Sequence, residues 1–292
     1  MVLDKIKNNI AEFFYRCGYR RASAAFEKAI PRRYFLPDSD FKHFVEKYGA
    51  MEAKPFQDYS PGGLEKFAVE KSELLSSQAD VKGKKILEIG SATGKILKKL
   101  IEKGAQEVTG VDIEDKRLDE VKSSGVKMMV QGAEDLHQVP DHYYDLIYSF
   151  SAFEHIADVS GAFRESFRVL KPGGTIYFQI GCLYYSPWGY HYYSYLKIPY
   201  IHILFNEKIL RDYLISIGKE PFIPWTNRLC FEHYFEAVKN RPADVIVAEF
   251  SYGYDWYHAN LIREYPEVFK SKNVNFHNFF IDTVTVKLVK ID

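Results

Sequence analysis

Residues 86–94 read ILEIGSATG and decide the fold of this chain. An apolar run with one acid leads into two glycines that are separated by three small residues, a pattern typical of a strand ending in a tight turn. The helix predicted over residues 95–103 would present free backbone N–H groups at its start, and these favour an anionic group. The stretch therefore predicts a strand, a ligand-binding turn and a helix in succession.

A second apolar run, residues 107–111, ends at Asp112. Asp112 follows the glycine turn by about 20 residues, the place where the second strand of a nucleotide-binding fold presents a carboxylate to ribose hydroxyls. Because ligands of such sheets bind beyond the carboxyl ends of the strands, the turn and Asp112 should face the same ligand. The pair indicates the nucleoside-binding half of a doubly wound α/β sheet.

The glycine turn resembles motif I of class I S-adenosylmethionine-dependent methyltransferases, which reads Asp/Glu-x-Gly-x-Gly-x-Gly. Glu88, Gly90 and Gly94 match this motif, and Ala92 stands at the middle glycine. Further segments resemble the same family in the expected order: VQGAEDL at 130–136, YDLIYSF at 144–150, a Glu-His pair at 154–155 and FRVLKPGG at 167–174. The similarity covers roughly residues 81–181 and is typical of a methyltransferase type 11-like domain.

The resemblance implies a Rossmann-like methyltransferase fold, which is a doubly wound, seven-stranded, mostly parallel sheet with an antiparallel last strand. Apolar runs predict strands near residues 85–89, 107–111, 127–130, 144–149, 175–180, 244–251 and 279–291. Residues 1–80 are predicted as an N-terminal helical extension that covers the cofactor, with a turn at 59–63. Residues 81–292 are predicted as the methyltransferase domain, with an aromatic-rich acceptor lid inserted at about 182–243.

The cofactor that the resemblance implies is S-adenosyl-L-methionine, with S-adenosyl-L-homocysteine as its product. The residues expected to contact it lie on the glycine turn, after the next three strands and, for one aromatic residue, in the N-terminal extension. They are Tyr59, Glu88, Gly90, Ser91, Ala92, Gly94, Asp112, Ile113, Ala133, Glu134, Ser149 and Ser151. A sulfonium methyl is already electrophilic, so the chain mainly has to orient the acceptor and accept its proton.

Histidine is the usual general base near neutral pH. His155, directly after the predicted fourth strand, is the first candidate, although orienting a loop or capping a helix is an equally good reason for its place. His191, in the predicted lid, is the second candidate. No cluster of carboxylates follows the fourth strand in the sequence, so no metal site is predicted.

Residues 183–205 read LYYSPWGYHYYSYLKIPYIHILF. Tyrosine and tryptophan can stack on a sugar ring and bond its hydroxyls. The candidate acceptor-binding residues are therefore Tyr184, Tyr185, Trp188, Tyr190 and Tyr192. A packed lid or a dimer contact is the structural alternative.

The aromatic stretch is similar to methyltransferases of bacterial polysaccharide and surface-glycan assembly, which implies O-methylation of a sugar hydroxyl. A small aromatic metabolite, an amine or a lipid head group are the alternative acceptors. Two further hypotheses are a catalytically silent scaffold that binds S-adenosylmethionine and a nicotinamide oxidoreductase. The glycine spacing and the Glu-His pair disfavour the oxidoreductase.

The 292 residues include 39 basic and 39 acidic side chains, and this balance argues against nucleic acid as the main partner. Three scattered cysteines and the lack of a long apolar run predict a cytoplasmic protein. A basic, amphipathic N-terminal segment predicts either peripheral contact with the inner face of a membrane or a helix packed on its own core or on a partner subunit. A homodimer is a further expectation.

Overall fold

The computed structural model describes residues 16–49, 58–191, 196–221 and 225–291. Within them, seven strands form one sheet in the order β3-β2-β1-β4-β5-β7-β6. The strands are β1 (Lys85–Ile89), β2 (Glu107–Asp112), β3 (Lys127–Val130), β4 (Tyr144–Phe150), β5 (Leu170–Gly181), β6 (Val245–Tyr254) and β7 (Ile281–Lys290). Strands β1 to β5 pair in parallel, whereas β7 runs antiparallel to β5. The predicted seven-stranded, mostly parallel sheet with an antiparallel last strand is confirmed.

Helices precede the first strand and connect the others. They are α1 (residues 16–28), α2 (Phe41–Tyr48), α3 (Pro61–Gln78), α4 (Lys95–Glu102), α5 (Asp119–Lys122), α6 (Val159–Val169), α7 (Ile201–Leu204), α8 (Glu207–Ser216), α9 (Phe231–Lys239), α10 (Ala259–Glu264) and α11 (Pro266–Lys270). Among the described helices, none combines the length and the apolar character that a membrane span needs.

The chain groups into two compact units. The sheet unit comprises Pro55–Gly181, Phe231–Tyr252 and Thr283–Asp292, and the helical unit comprises Met1–Lys54, Cys182–Cys230 and Gly253–Asp282. This grouping follows contacts rather than chain order, and its limits differ from the division predicted at residue 80. The role of residues 182–243 as an acceptor lid stays a prediction.

The sheet unit is held together by an apolar layer between the sheet and helices α3 and α4. Ile86, Leu146 and Tyr148 from the strands pack there with Leu75 of α3 and Leu97 of α4. The strand order reverses between β1 and β4, because the chain builds β2 and β3 on one side before it returns to form β4 on the other. Ligands of such sheets bind at this switch point, beyond the carboxyl ends of the strands.

The helical unit has its own aromatic core. Phe41 of α2 packs edge-on against Phe205, with ring centroids 5.0 Å apart, and Phe269 of α11 packs in the same way against Phe279. The buried hydroxyl of Tyr200 donates to the carbonyl oxygen of Phe279 at 2.6 Å. Much of the aromatic stretch 183–205 therefore forms the interior of this unit.

Three element limits differ from the sequence predictions for local reasons. The predicted turn at 59–63 is instead the start of α3, because the Ser60 hydroxyl accepts from the backbone N–H of Gly63 and Pro61 occupies the first helical position. Strand β5 begins at Leu170, earlier than expected, with an irregularity in its pairing to β4. The last strand begins only at Ile281, because Phe276–Phe279 form a 3-10 helix.

Candidate active site

The loop between β1 and α4 is a tight, backward-folded turn. Gly90, Ala92 and Gly94 have φ angles of 76°, 42° and 71°. The backbone N–H groups of Gly90 and Ser91 both donate to the carbonyl oxygen of Val111, at 2.8 and 3.2 Å. These bonds fold the loop against the end of β2, so its main chain lines the carboxyl edge of the sheet.

Gly90 is also a point of close approach between two loops. A Cβ placed on Gly90 would lie 2.2 Å from the Cβ of Ala152, which follows β4. Only glycine combines the positive φ with this contact without strain. The predicted need for glycine at this turn is thus explained by a neighbouring loop as well as by a ligand.

Asp112 is fixed at the end of β2 by the glycine turn. Its Oδ2 accepts from the backbone N–H of Ala92 at 2.9 Å, and its Oδ1 makes no hydrogen bond with the described part of the chain. The next side chain, Ile113, is 80% exposed. An oriented carboxylate oxygen beside an exposed apolar side chain suits the hydroxyls and the flat base of a nucleoside.

Glu88 lies beneath the turn and is only 3% exposed. It is in register with Gly110 on β2 and with Tyr148 on β4. Neither Glu88 Oε2 nor the Tyr148 hydroxyl has a hydrogen-bond partner of good geometry among the described residues. Burial, with a smaller contribution from the negative charge of Asp112, raises the pKa of Glu88 well above its ordinary value, which favours the neutral form of this acid.

Three of the predicted cofactor residues have buried side chains that point into the sheet unit. The fully buried Ser149 hydroxyl donates to the carbonyl oxygen of Ile89 at 2.8 Å. Ser91 is buried over β2, with its Oγ 3.6 Å from the Met128 sulfur, and Ala133 is buried as well. Ser91 and Ala133 can therefore contribute backbone atoms to a site, whereas Ser149 braces β4 against β1.

Glu134 and Ser151 remain open to solvent. Glu134 lies in the loop after β3, beside Gly132, where an added Cβ would meet its carboxylate at 2.3 Å. Ser151 has a φ of 51°, and its backbone N–H donates to the carbonyl oxygen of Gln179 at 2.8 Å. Tyr59, 69% exposed, lies two residues before α3. Their contacts with a cofactor stay predictions.

The Glu-His pair forms a 3-10 helix, Phe153–His155, directly after β4. Glu154 is buried, and its Oε2 accepts from the backbone N–H of Gly181 at 3.4 Å, at the end of β5. His155 is partly exposed. Glu154 therefore anchors this loop to the end of β5, and His155 is the partly exposed side chain that the loop presents.

Lys71, which the sequence did not indicate as a site residue, places a cation at the same edge of the sheet. Lys71 of α3 donates to Oε1 of Gln179 at 2.7 Å, and its Nζ lies 4.5 Å from the ring centroid of Phe150. No carboxylate of the described chain lies within ion-pairing distance of it, and desolvation lowers its pKa. In the sequence, Lys71 lies among Ala68, Ser72 and Leu75, which are the buried residues of α3. That position was the indication that Lys71 faces the protein rather than solvent.

The predicted acceptor residues and the second candidate base belong to the helical unit. Trp188 and Tyr190 are buried: the Trp188 Nε1 donates to Asp255 at 3.1 Å, and Tyr190 stacks on the ring of His202. Tyr184 and Tyr185 are partly exposed and pack edge-on.

His191 has a φ of 57°, and its Nε2 lies 3.5 Å from the carbonyl oxygen of Cys182. Tyr192 lies outside the described residues. Contact of the five aromatic residues with an acceptor, and the role of His191 as a base, stay predictions.

Residues 87–178 match the family model described as a methyltransferase domain. This range contains the glycine turn, Asp112 and the Glu-His loop. A ubiquinone biosynthesis O-methyltransferase of Nitrosospira multiformis is 32% identical over 155 residues, which are 51% of this chain and 56% of that protein. Sterol 24-C-methyltransferase erg-4 of Neurospora crassa is 28% identical over 155 residues, 50% of this chain and 40% of that protein. The chain spans about half the length of the curated relatives it matches.

Solved structures are similar at lower identity. An S-adenosylmethionine-dependent methyltransferase from Mesorhizobium loti superposes with a TM-score of 0.49 at 19% identity, over 77% of this chain and all of that one. The [4+2]-cyclase SpnF superposes with a TM-score of 0.47 at 13% identity, over 89% of this chain and 99% of that one.

Proposed function

We propose that this chain is an S-adenosylmethionine-dependent methyltransferase with its cofactor at the carboxyl ends of β1, β2 and β4. The observation that carries the proposal is the folded glycine turn whose Ala92 N–H holds the Asp112 carboxylate at 2.9 Å. The match of residues 87–178 to a methyltransferase domain supports the same assignment.

The residues at this edge fit such a cofactor. Gly90 leaves main chain rather than a side chain at the turn, Asp112 offers a carboxylate oxygen for ribose hydroxyls, and Ile113 offers an apolar side chain for the adenine. Lys71 adds an ammonium group that lacks a carboxylate partner in the described chain, suited to the amino-acid carboxylate. When bound, the cofactor supplies an electrophilic methyl group on a sulfonium.

A neutral Glu88 has a clear role in this arrangement. An ionised Glu88 beside Asp112 would place two like charges beneath one turn, and Glu88 is too deeply buried for water to screen them. Protonation of Glu88 avoids this repulsion beneath the turn, where the Asp112 carboxylate would accept from the ribose hydroxyls.

We further propose that His155 accepts the proton of the acceptor hydroxyl. Its loop is anchored through Glu154 to the end of β5, which holds the imidazole near the carboxyl edge of the sheet. General-base assistance of this kind contributes roughly a hundredfold or more to the rate. The chain's remaining task is to hold the acceptor oxygen in line with the methyl group, about 3 Å away.

For the acceptor we propose an oxygen, with a sugar hydroxyl of a glycan or of its precursor as the first candidate. The tyrosine-rich stretch 183–205 supports it, since the partly exposed rings of Tyr184 and Tyr185 can stack on a sugar. An oxygen of a small aromatic metabolite is the second candidate. It is favoured by relatives that are named ubiquinone biosynthesis O-methyltransferases.

Calorimetry with S-adenosyl-homocysteine tests the cofactor assignment, and no measurable affinity would refute the whole proposal. Transfer of a labelled methyl group to a panel of nucleotide sugars, oligosaccharides and catechols then tests the acceptor class. Labelling of amines alone would exclude an oxygen acceptor. His155→Ala should lower turnover far more than cofactor affinity, with the exposed His137→Ala as the matched control; equal losses in both quantities would refute His155 as the base.

A further inference from the structure

An exposed loop with both apolar and basic side chains follows α1 in the helical unit. Residues 30–34 read IPRRY, and we call them the IPRRY loop. Ile30 is 65% exposed and Tyr34 is 56% exposed, whereas Phe26 and Leu36, on either side of the loop, are buried. Transfer of such exposed apolar side chains from water into an apolar environment is favourable.

The loop is held in place by the core of its own unit. At its far end, the backbone N–H of Leu36 donates to the carbonyl oxygen of Leu204 at 2.7 Å. The Lys272 ammonium donates to the Tyr34 carbonyl oxygen and lies 3.5 Å from the centroid of the Tyr34 ring. Because these contacts fix the main chain of Tyr34, its exposure belongs to the fold.

A basic face of α1 leads directly into this loop. Its buried side carries Ala22 and Phe26, and its exposed side chains include four basic ones against one acid. With the two arginines of the loop, the basic residues are Arg16, Arg20, Arg21, Lys28, Arg32 and Arg33, and the acid is Glu27.

Several of these cations are not neutralised within the described part of the chain. The Arg33 Nε lies 3.7 Å from a carboxylate oxygen of Glu267, and the Glu27 carboxylate pairs with the Lys270 ammonium at 3.4 Å. Arg20, Arg21 and Arg32 form no ion pair with any residue that the structure describes. Since the whole chain has a net charge of zero, this positive surface is a local concentration of charge.

We propose that α1 and the IPRRY loop dock the protein on an anionic lipid surface. The arginines would bind lipid phosphates, while Ile30 and Tyr34 enter the headgroup region, where an aliphatic side chain and an amphipathic aromatic ring are both favourable. A nucleic acid would use the same charges but would gain little from Ile30. The exposed isoleucine therefore favours lipid, and the inference is independent of the proposed enzymatic function.

Sedimentation of the full chain with vesicles tests the inference. Binding should be strong to phosphatidylcholine vesicles with about 30% phosphatidylglycerol, weak to pure phosphatidylcholine, and reduced as NaCl rises from about 0.1 M to about 0.5 M. Each basic residue near the surface contributes about 1 kcal/mol, and about 1.4 kcal/mol corresponds to a tenfold change in affinity. The triple variant Arg20→Gln, Arg21→Gln, Arg32→Gln should therefore bind about a hundredfold more weakly. Equal binding to both kinds of vesicle would overturn the proposal.

Two matched variants separate lipid binding from a simple charge effect. The control triple Lys42→Gln, Lys208→Gln, Arg263→Gln removes three exposed charges elsewhere in the helical unit and should leave vesicle binding unchanged. The double variant Ile30→Asn, Tyr34→Asn keeps every charge and should bind anionic vesicles at least tenfold more weakly. If it binds anionic vesicles like the wild type, Ile30 and Tyr34 do not enter the headgroup region and the lipid proposal is wrong.

Discussion

Gly90→Ala should disturb both the fold and the cofactor site. The new methyl group would lie 2.2 Å from the Cβ of Ala152, about 1.5 Å short of an ordinary carbon–carbon contact. Overpacking of this kind costs about 1–3 kcal/mol, and the φ of 76° adds about 1–2 kcal/mol for any residue with a Cβ. We expect a loss of about 2–5 kcal/mol in the free energy of unfolding, measured by urea denaturation.

A double variant divides this loss between its two causes. In Gly90→Ala/Ala152→Gly the clashing methyl group is gone, so the packing part should return while the backbone strain remains. Gly62→Ala is the control, because a Cβ at this helical position meets no atom within 4 Å. If Gly90→Ala costs less than about 1 kcal/mol, or if Ala152→Gly restores nothing, the close approach of the two loops is wrong. Calorimetry on the same variants reports whether the affinity for S-adenosyl-homocysteine follows the strain.

Three further changes test the charged groups. Asp112→Ala should weaken binding of S-adenosyl-homocysteine by about 1–3 kcal/mol in calorimetry, and an unchanged dissociation constant would refute the ribose contact. Glu88→Gln should match wild-type stability near pH 4 and exceed it increasingly as the pH rises above 4.5, because folded Glu88 retains a proton that the unfolded chain releases; parallel pH profiles of unfolding would contradict the neutral acid. Lys71→Met should weaken S-adenosyl-homocysteine about 10–100-fold but spare 5′-methylthioadenosine, which lacks the carboxylate, whereas Lys66→Met on the exposed side of α3 should change neither.

The sheet and its glycine turn could be predicted because their signals are local. Strand β1 and the turn are encoded in residues 86–94, and Asp112 follows at a spacing that the strand–helix–strand unit imposes. Strands β1 and β3 fall within the predicted limits.

The parts that could not be predicted depend on contacts distant in sequence. The buried position of Trp188 involves a hydrogen bond to Asp255, 67 residues later, and no local sequence pattern indicates that bond. Lys71 meets Gln179 across 108 residues. Ser149 is predicted to contact the cofactor, but the pleat of β4 turns its hydroxyl toward the carbonyl oxygen of Ile89. Whether such a side chain faces the site or the protein interior depends on its direction and on a partner that is distant in sequence.

The interior position of β7 affects the order in which the sheet can be completed. Residues 281–290 fill the place between β5 and β6, although β6 emerges earlier from the ribosome. During synthesis, β5 therefore has an unsatisfied edge, and β6 lacks the neighbour that joins it to the sheet, until this segment leaves the exit tunnel. Nascent chains arrested before residue 281 should bind chaperones and be digested quickly by added protease. Chains extended by a linker that carries residue 290 out of the tunnel should be protected from the protease.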